Sequence, residues 1–320
     1  MTDLYAGGEP LAEVVRSDFV ESRHSGSVVV LDATGEVHAW AGDVLGPIFP
    51  RSSSKPLQAV AMVRAGLRLA PADLALVAAS HRGQPAHVAG VRAILGATGL
   101  DEGLLGCPAD YPLADDARDD VVRAGGGRAP VLMNCSGKHA GMLRTCQING
   151  WPLRGYLAAD HPLQEHITSV FAALTGGPAS AVGVDGCGAP VLAMSLRGLA
   201  GAFLELVRAP EGAPERDVAD AMRDFPDMVS GTDADAFDTH LMRGVPGLLV
   251  KGGAEGVLAA AVPGKGAVAL KIDDGGMRPR VPVLVSALAR LGVHADTLDK
   301  LRLSDIYGGG QPVGSVRSVW

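Results

Sequence analysis

Strand-like apolar runs lie toward both ends of this chain, and its middle shows helical spacing. Ser27–Leu31 and Glu36–Trp40 read as two strands joined by the turn Asp32-Ala-Thr-Gly35. Gly256–Val262 and Ala267–Ile272 read as a second hairpin, turned by Pro263-Gly-Lys-Gly266. Between them, Leu57, Val60, Val63 and Leu67 recur at helical spacing, as do Leu163, His166, Ile167 and Phe171. Val283–Leu291 is a further apolar helix, with Pro282 just before it. The pattern predicts an α/β protein whose antiparallel sheet comes from both termini, about 1–50 and 245–320. A mainly helical, site-bearing region, about 51–244, is inserted between them. Together these form a single two-lobed domain, and no internal repeat is visible.

Composition narrows the function. The chain has 320 residues, 47% hydrophobic and 20% charged, which is a globular balance. A net charge of −7 and only 4% aromatic residues argue against nucleic acid and anionic membranes as partners. No apolar run reaches the ~18 residues of a membrane span. The opening MTDLYAGGEPL lacks a basic region followed by an apolar run, so a cytoplasmic location is expected. Cys107, Cys135, Cys146 and Cys187 are then expected to be reduced, which favours metal binding or catalysis over disulfides. Asp115, Asp116, Asp119 and Asp120 read as a solvated acidic face.

Three groups of residues carry candidate chemistry. In Pro50-Arg-Ser-Ser-Ser-Lys-Pro56, Pro56 fits only the first turn of a helix, so the helix starts near Ser52 or Ser53. Ser52 and Lys55 are three apart and share one face there. A serine nucleophile needs a neighbouring base, and a lysine serves once burial and a nearby cation such as Arg51 lower its pKa. S-x-x-K is common, and the plain alternative is an N-cap serine beside a solvated lysine. Ser80 ends the apolar run Leu74–Ala79 and is followed by His81. Lys251 follows Leu248-Leu-Val250 and precedes Gly252-Gly253. Each has an edge-of-core alternative.

The third group is Asn134-Cys-Ser-Gly-Lys-His-Ala-Gly141 and Asp185-Gly-Cys-Gly-Ala-Pro190. Each places a Cys in a Gly-rich turn after an apolar segment read as a strand, Pro130–Met133 and Ala181–Val184. Two such thiolates suit zinc, with His139 as third ligand on spacing alone. Two buried free thiols are the alternative.

Together the segments Arg51–Pro56, Ala79–His81, Asn134–Leu143, Val184–Pro190 and Lys251–Gly256 resemble the rhizobial-type asparaginases, the asparaginase II family. The resemblance runs over most of the chain. It implies a fold like serine β-lactamases and serine-dependent glutaminases, a homodimer, and two Ser–Lys pairs, Ser52 with Lys55 and Ser80 with Lys251. It also implies a zinc site of Cys135, Lys138 and Cys187, which displaces His139. His139, Asp185 and His81 become substrate or supporting groups. The block Met228–Met242 departs from the family pattern: acidic Asp233 and Asp235 stand where a basic residue is expected after Gly-Thr.

The expected activity is hydrolysis of asparagine to aspartate and ammonia through an acyl-serine intermediate. The rivals are a glutaminase or another β-lactamase-fold amidase, and a zinc-binding protein without activity. The Ser-Asp-Asn and Lys-Thr-Gly motifs of β-lactamases are missing from the sequence.

Overall fold

A computed structural model describes residues 4–320. Residues 1–3, part of the opening segment read for an export signal, lie outside the described residues.

The strands are β1 Glu9–Arg16, β2 Phe19–Asp32, β3 Val37–Ala41, β4 Pro47–Ile48, β5 Val182–Val184, β6 Pro190–Leu192, β7 Met194–Ser195, β8 Leu249–Gly252, β9 Val257–Val262, β10 Gly266–Ile272, β11 Leu303–Gly308 and β12 Gln311–Ser318. The first six helices are α1 Lys55–Arg64, α2 Pro71–Val77, α3 Pro85–Gly96, α4 Asp115–Arg123, α5 Ser136–Asn149 and α6 Pro162–Thr175. The other six are α7 Leu196–Arg208, α8 Pro214–Asp224, α9 Pro226–Ser230, α10 Phe237–Gly244, α11 Arg280–Arg290 and α12 Asp296–Leu301.

The residues fall into two compact units. The first contains the described part of Met1–Ser53, together with Ala193–Arg208 and His240–Trp320. Its antiparallel sheet has the order β11-β12-β1-β2-β10-β9-β8, with β3 also paired to β2. Both hairpins expected from the sequence are present, β2–β3 and β9–β10, and β2 and β10 pair to join the two ends of the chain. The central strands are buried on both faces. Val28–Leu31, Val257–Ala261 and Ala267–Leu270 are all 2% exposed or less. Such runs lack the alternation of a one-sided sheet, because α7 and α11 both pack on it. The helix read as Val283–Leu291 starts earlier, at Arg280, so Pro282 sits inside the first turn, where a missing N–H costs nothing.

The second unit contains Ser54–Leu192 and Ala209–Thr239 and is mainly helical. At its centre is α1, buried from Lys55 to Val63 and packed against α2, α5, α6 and α8. A helix surrounded in this way is apolar on every face, which is why its sequence shows little amphipathic contrast. Gly137 in α5 allows close packing on α2, since a Cβ there would lie 2.4 Å from Leu76 O. Asp115, Asp116, Asp119 and Asp120 lie exposed on or beside α4, as expected.

One local expectation is corrected. Pro130–Met133, read as a strand, begins as a 3-10 turn over Pro130–Leu132, because proline donates no hydrogen bond to a ladder. Cys135 therefore caps a helix and does not follow a strand. Among the described residues no helix is long and apolar enough to cross a membrane.

Candidate active site

Arg51–Ser54 forms a 3-10 turn that leads into α1, where Pro56 occupies the first turn as its missing N–H requires. Ser52 is half-buried in that turn. Its neighbour Ser53 donates from Oγ to Lys251 O at 2.9 Å. Lys251 lies in β8, buried, and its Nζ donates to Gly252 O at 2.8 Å. The glycine after it makes this approach possible: a Cβ on Gly253 would lie 2.6 Å from Pro50 O and 2.9 Å from Ser53 Oγ. Arg280 Nη1 holds the same turn through Gly253 O at 3.0 Å and Val257 O at 3.1 Å. Arg51, expected as a cation near Lys55, faces Glu255, Nη1 to Oε1 at 3.8 Å.

In the second unit, Lys55 is 1% exposed. Its Nζ donates to Ala79 O at 2.5 Å and to Ser80 Oγ at 3.0 Å. Ser80 lies just beyond the end of α2, and its N–H is tied to Val229 O at 3.2 Å. The structure thus brings Lys55 to Ser80.

The cysteine segments meet in the same unit. Cys135 occupies the N-cap position of α5, where the helix dipole favours a thiolate. Cys187 sits in the turn between β5 and β6, closed by the bond from Gly188 N to Asp185 O at 2.8 Å. Lys138 Nζ, from the first turn of α5, donates to Cys187 Sγ at 3.1 Å. The Cys135 thiol is held well below its ordinary value, first by its bond with Cys187 and also by Lys55 and Lys138. Cys187 is pushed up, chiefly by the same pairing. Burial pulls Lys138 down, but the sulfurs of Cys187 and Cys135 outweigh it and its pKa is raised.

The metal expectation is tested by this donor set. Two unoxidised sulfurs and one amine converge in a buried place, a set that suits a borderline cation once Lys138 loses its proton. Among the described residues no three His, Cys, Asp or Glu side chains gather as metal ligands, so His139 does not complete a site with both cysteines. Instead His139 Nδ1 lies 2.7 Å from the Tyr156 hydroxyl, which accepts from Gly106 N–H at 2.8 Å. Burial lowers the His139 pKa, partly opposed by the nearby Cys187.

His81 is fully buried. Its Nδ1 accepts from Gly83 N–H at 3.1 Å, so Nε2 carries the proton toward Ser136 Oγ at 2.8 Å. Burial holds the ring well below the ordinary histidine pKa, helped by His87 stacked on it and by Lys55. Both nitrogens of His81 are thus committed to brace the Ser80 turn against the start of α5. Asp185 has one carboxylate oxygen on Gly186 N–H at 2.9 Å and the other near Cys187 Sγ at 4.0 Å. Cys107 and Cys146 are buried thiols, each pushed up to about 11 by burial.

Some participants have no sequence signal. Tyr156 is an isolated tyrosine in a turn region, and Ser136 was only part of a block. Arg82 carries no signal of its own in the sequence. It pairs with Asp233 through Nε and lies 3.9 Å from Asp235, so the acidic residues noted in the sequence face a cation on the Ser80 turn.

Among solved structures, a protein called Mglu in its native form is 16% identical, with a TM-score of 0.44. The match covers 83% of this chain and 63% of Mglu, so this chain spans less than two thirds of that length. A β-lactamase from Mycobacterium bovis is 17% identical over 78% of this chain and 88% of its own, at a TM-score of 0.44. A Bacillus glutaminase is 15% identical over 86% and 88%, at a TM-score of 0.42. No curated protein matches the sequence. The family model described as L-asparaginase II matches residues 12–318, from β1 to β12 and through all the site segments. On that match across nearly the whole length, the chain belongs to the L-asparaginase II family.

Proposed function

We propose that this protein hydrolyses the side-chain amide of L-asparagine to aspartate and ammonia. The observation that carries the reading is the partly buried contact of Lys55 Nζ with Ser80 Oγ at 3.0 Å, a Ser–Lys contact in a chain of this family. Ser52 attacks the amide carbon, and Lys55, in its neutral form, takes the hydroxyl proton. Ser52 sits in the turn that leads into α1, where the positive end of the helix dipole favours the developing oxyanion. The proton passes to the leaving nitrogen, ammonia departs, and an aspartyl ester remains on Ser52. Ser80 and Lys251 serve the second proton transfer, in which water attacks the ester. Arg51 holds the α-carboxylate of the substrate. The active protein is a homodimer on the family resemblance.

Cys135, Lys138 and Cys187 would hold zinc. Bound there, the ion supplies a fixed positive charge that orders the site and tunes its neighbours. Around it, α5 presents Lys138 and His139 on successive positions, and Tyr156 fixes the His139 ring.

The same Lys55–Ser80 contact favours a second reading in which Ser80 is the nucleophile and Lys55 its base. Ammonia release from asparagine and from glutamine, compared in wild-type, Ser52→Ala and Ser80→Ala proteins, tests both. The two substrates differ by one methylene, worth only ~1–3 kcal/mol in a pocket, so preference is read from the ratio of kcat/KM values. No ammonia from either amide overturns the hydrolase reading.

A further inference from the structure

Arg51 and Glu255 share an uncommon feature. Both have left-handed backbones, with φ of 52° and 57°. Apart from Ser17 and Asp18 between β1 and β2, they are the non-glycine residues with positive φ among the described residues. Side chains strain this conformation, and strained residues gather where function needs a fixed geometry. The two side chains face each other, Arg51 Nη1 to Glu255 Oε1 at 3.8 Å.

The Glu255 backbone is braced. Its carbonyl accepts from Lys271 Nζ at 2.8 Å, and Arg280 Nη1 donates to Gly253 O and Val257 O on either side of it. A Cβ on Gly275 would lie 2.8 Å from Glu255 Oε2, so glycine there leaves room for the carboxylate. The ion pair itself is loose. At 3.8 Å it is longer than a hydrogen bond, and the Glu255 side chain is 64% exposed.

We infer that Glu255 is a resting counter-ion of Arg51 and is displaced from it by the α-carboxylate of the substrate. This rests on the asparaginase reading. Arg51 precedes Ser52 directly, and in asparagine the α-carboxylate lies three bonds from the amide carbon that Ser52 attacks. A substrate carboxylate that meets the guanidinium fork with two hydrogen bonds exchanges a loose contact for a tight one. Arg51 then favours substrates that carry the α-carboxylate and Glu255 tempers that preference: a substrate lacking the carboxylate gains nothing from Arg51 and leaves the resting pair in place.

The test is steady-state kinetics of the full-length protein with Glu255→Gln, which keeps shape and removes charge. The substrates are L-asparagine and its α-methyl ester, whose α-carboxyl is uncharged. The expected result is a fall of about two- to fivefold in KM for asparagine, the range of a loose exposed pair. The change in kcat is smaller, and KM for the ester does not move. A KM for asparagine that stays or rises, or an equal fall for both substrates, overturns the inference while the asparaginase reading stands. Absence of ammonia release from asparagine by the wild-type protein overturns that reading and this inference with it.

Discussion

Lys55 Nζ lies 3.0 Å from Ser80 Oγ and 2.5 Å from Ala79 O, so the first residue of α1 is fastened to the turn beyond α2. Twenty-five positions separate the two residues. Their contact depends on α1 packing on α2 within the second unit. Both readings of the nucleophile proposed above use Lys55 as the base.

Lys55→Ala is therefore expected to lower kcat for asparagine by about 10³-fold or more, with Ser52→Ala equally severe. Ser80→Ala is expected to retain more activity if Ser80 serves only the second proton transfer. The measurement is ammonia release, with a burst assay for the acyl-enzyme. A silent Ser80→Ala beside an active Ser52→Ala would assign the nucleophile to Ser80.

Purified protein is expected to carry about one zinc per chain, lost on Cys135→Ala or Cys187→Ala. Affinity is expected to strengthen as pH rises. Cys187 and Lys138 both have raised pKa values in the metal-free protein and must shed their protons to bind a cation. Chelator competition at mildly acidic and mildly alkaline pH measures this, and equal affinity at both would remove Lys138 from the ligand set.

His81, His87 and His139 all have pKa values pulled below the ordinary 6.5 by burial. The unfolded chain takes up these protons as pH drops below 6.5, whereas the folded protein resists until lower pH. Stability is therefore full above about pH 6.5 and lost as pH falls through the region below it. Urea midpoints between pH 7.5 and pH 5 are expected to drop steadily, and a flat profile contradicts the buried, uncharged rings.

Gly253→Ala places a Cβ 2.6 Å from Pro50 O and 2.9 Å from Ser53 Oγ. The Ser52 turn must shift, at a cost of about 1–3 kcal/mol in stability and at least about tenfold in kcat/KM. Gly201→Ala in α7, where a Cβ meets nothing within 4 Å, is the control. It is expected to raise stability by up to ~1 kcal/mol and to leave activity unchanged. Thermal unfolding and kinetics of both variants decide, and a harmless Gly253→Ala would show that the Lys251 strand does not need its close approach to Ser53.

Arg82 and Asp233 are expected to couple energetically by about 1 kcal/mol or more in a double-mutant cycle, because both side chains are largely shielded from water. Urea denaturation of Arg82→Ala, Asp233→Ala and the double variant gives the coupling. Additive losses would mean that the acidic loop is not held to the Ser80 turn by this pair.

Much of this protein is legible in its sequence. The two hairpins are written in β-branched runs broken by Asp-Ala-Thr-Gly and Pro-Gly-Lys-Gly turns. Pro56, Pro71, Pro85, Pro162, Pro214 and Pro226 each fall within the first two positions of a helix, where the missing N–H is harmless. Lys55 could be picked out by its spacing from Ser52 and Lys251 by the apolar run before it and the glycines after it, whereas Lys138 came from the family resemblance; all three are buried.

The tertiary structure decided the rest. It joined β2 to β10 from opposite ends of the chain, and it placed α7, from the middle of the sequence, on that sheet. It brought Lys55 to Ser80, set Glu255 against Arg51, put Tyr156 beside His139, and gave Arg82 to Asp233. None of these pairs lies within helical or strand spacing of its partner. Periodicity reports only which face of an element is buried. Which buried side chain meets which depends on how the elements pack, and that is set by the shape of the whole core.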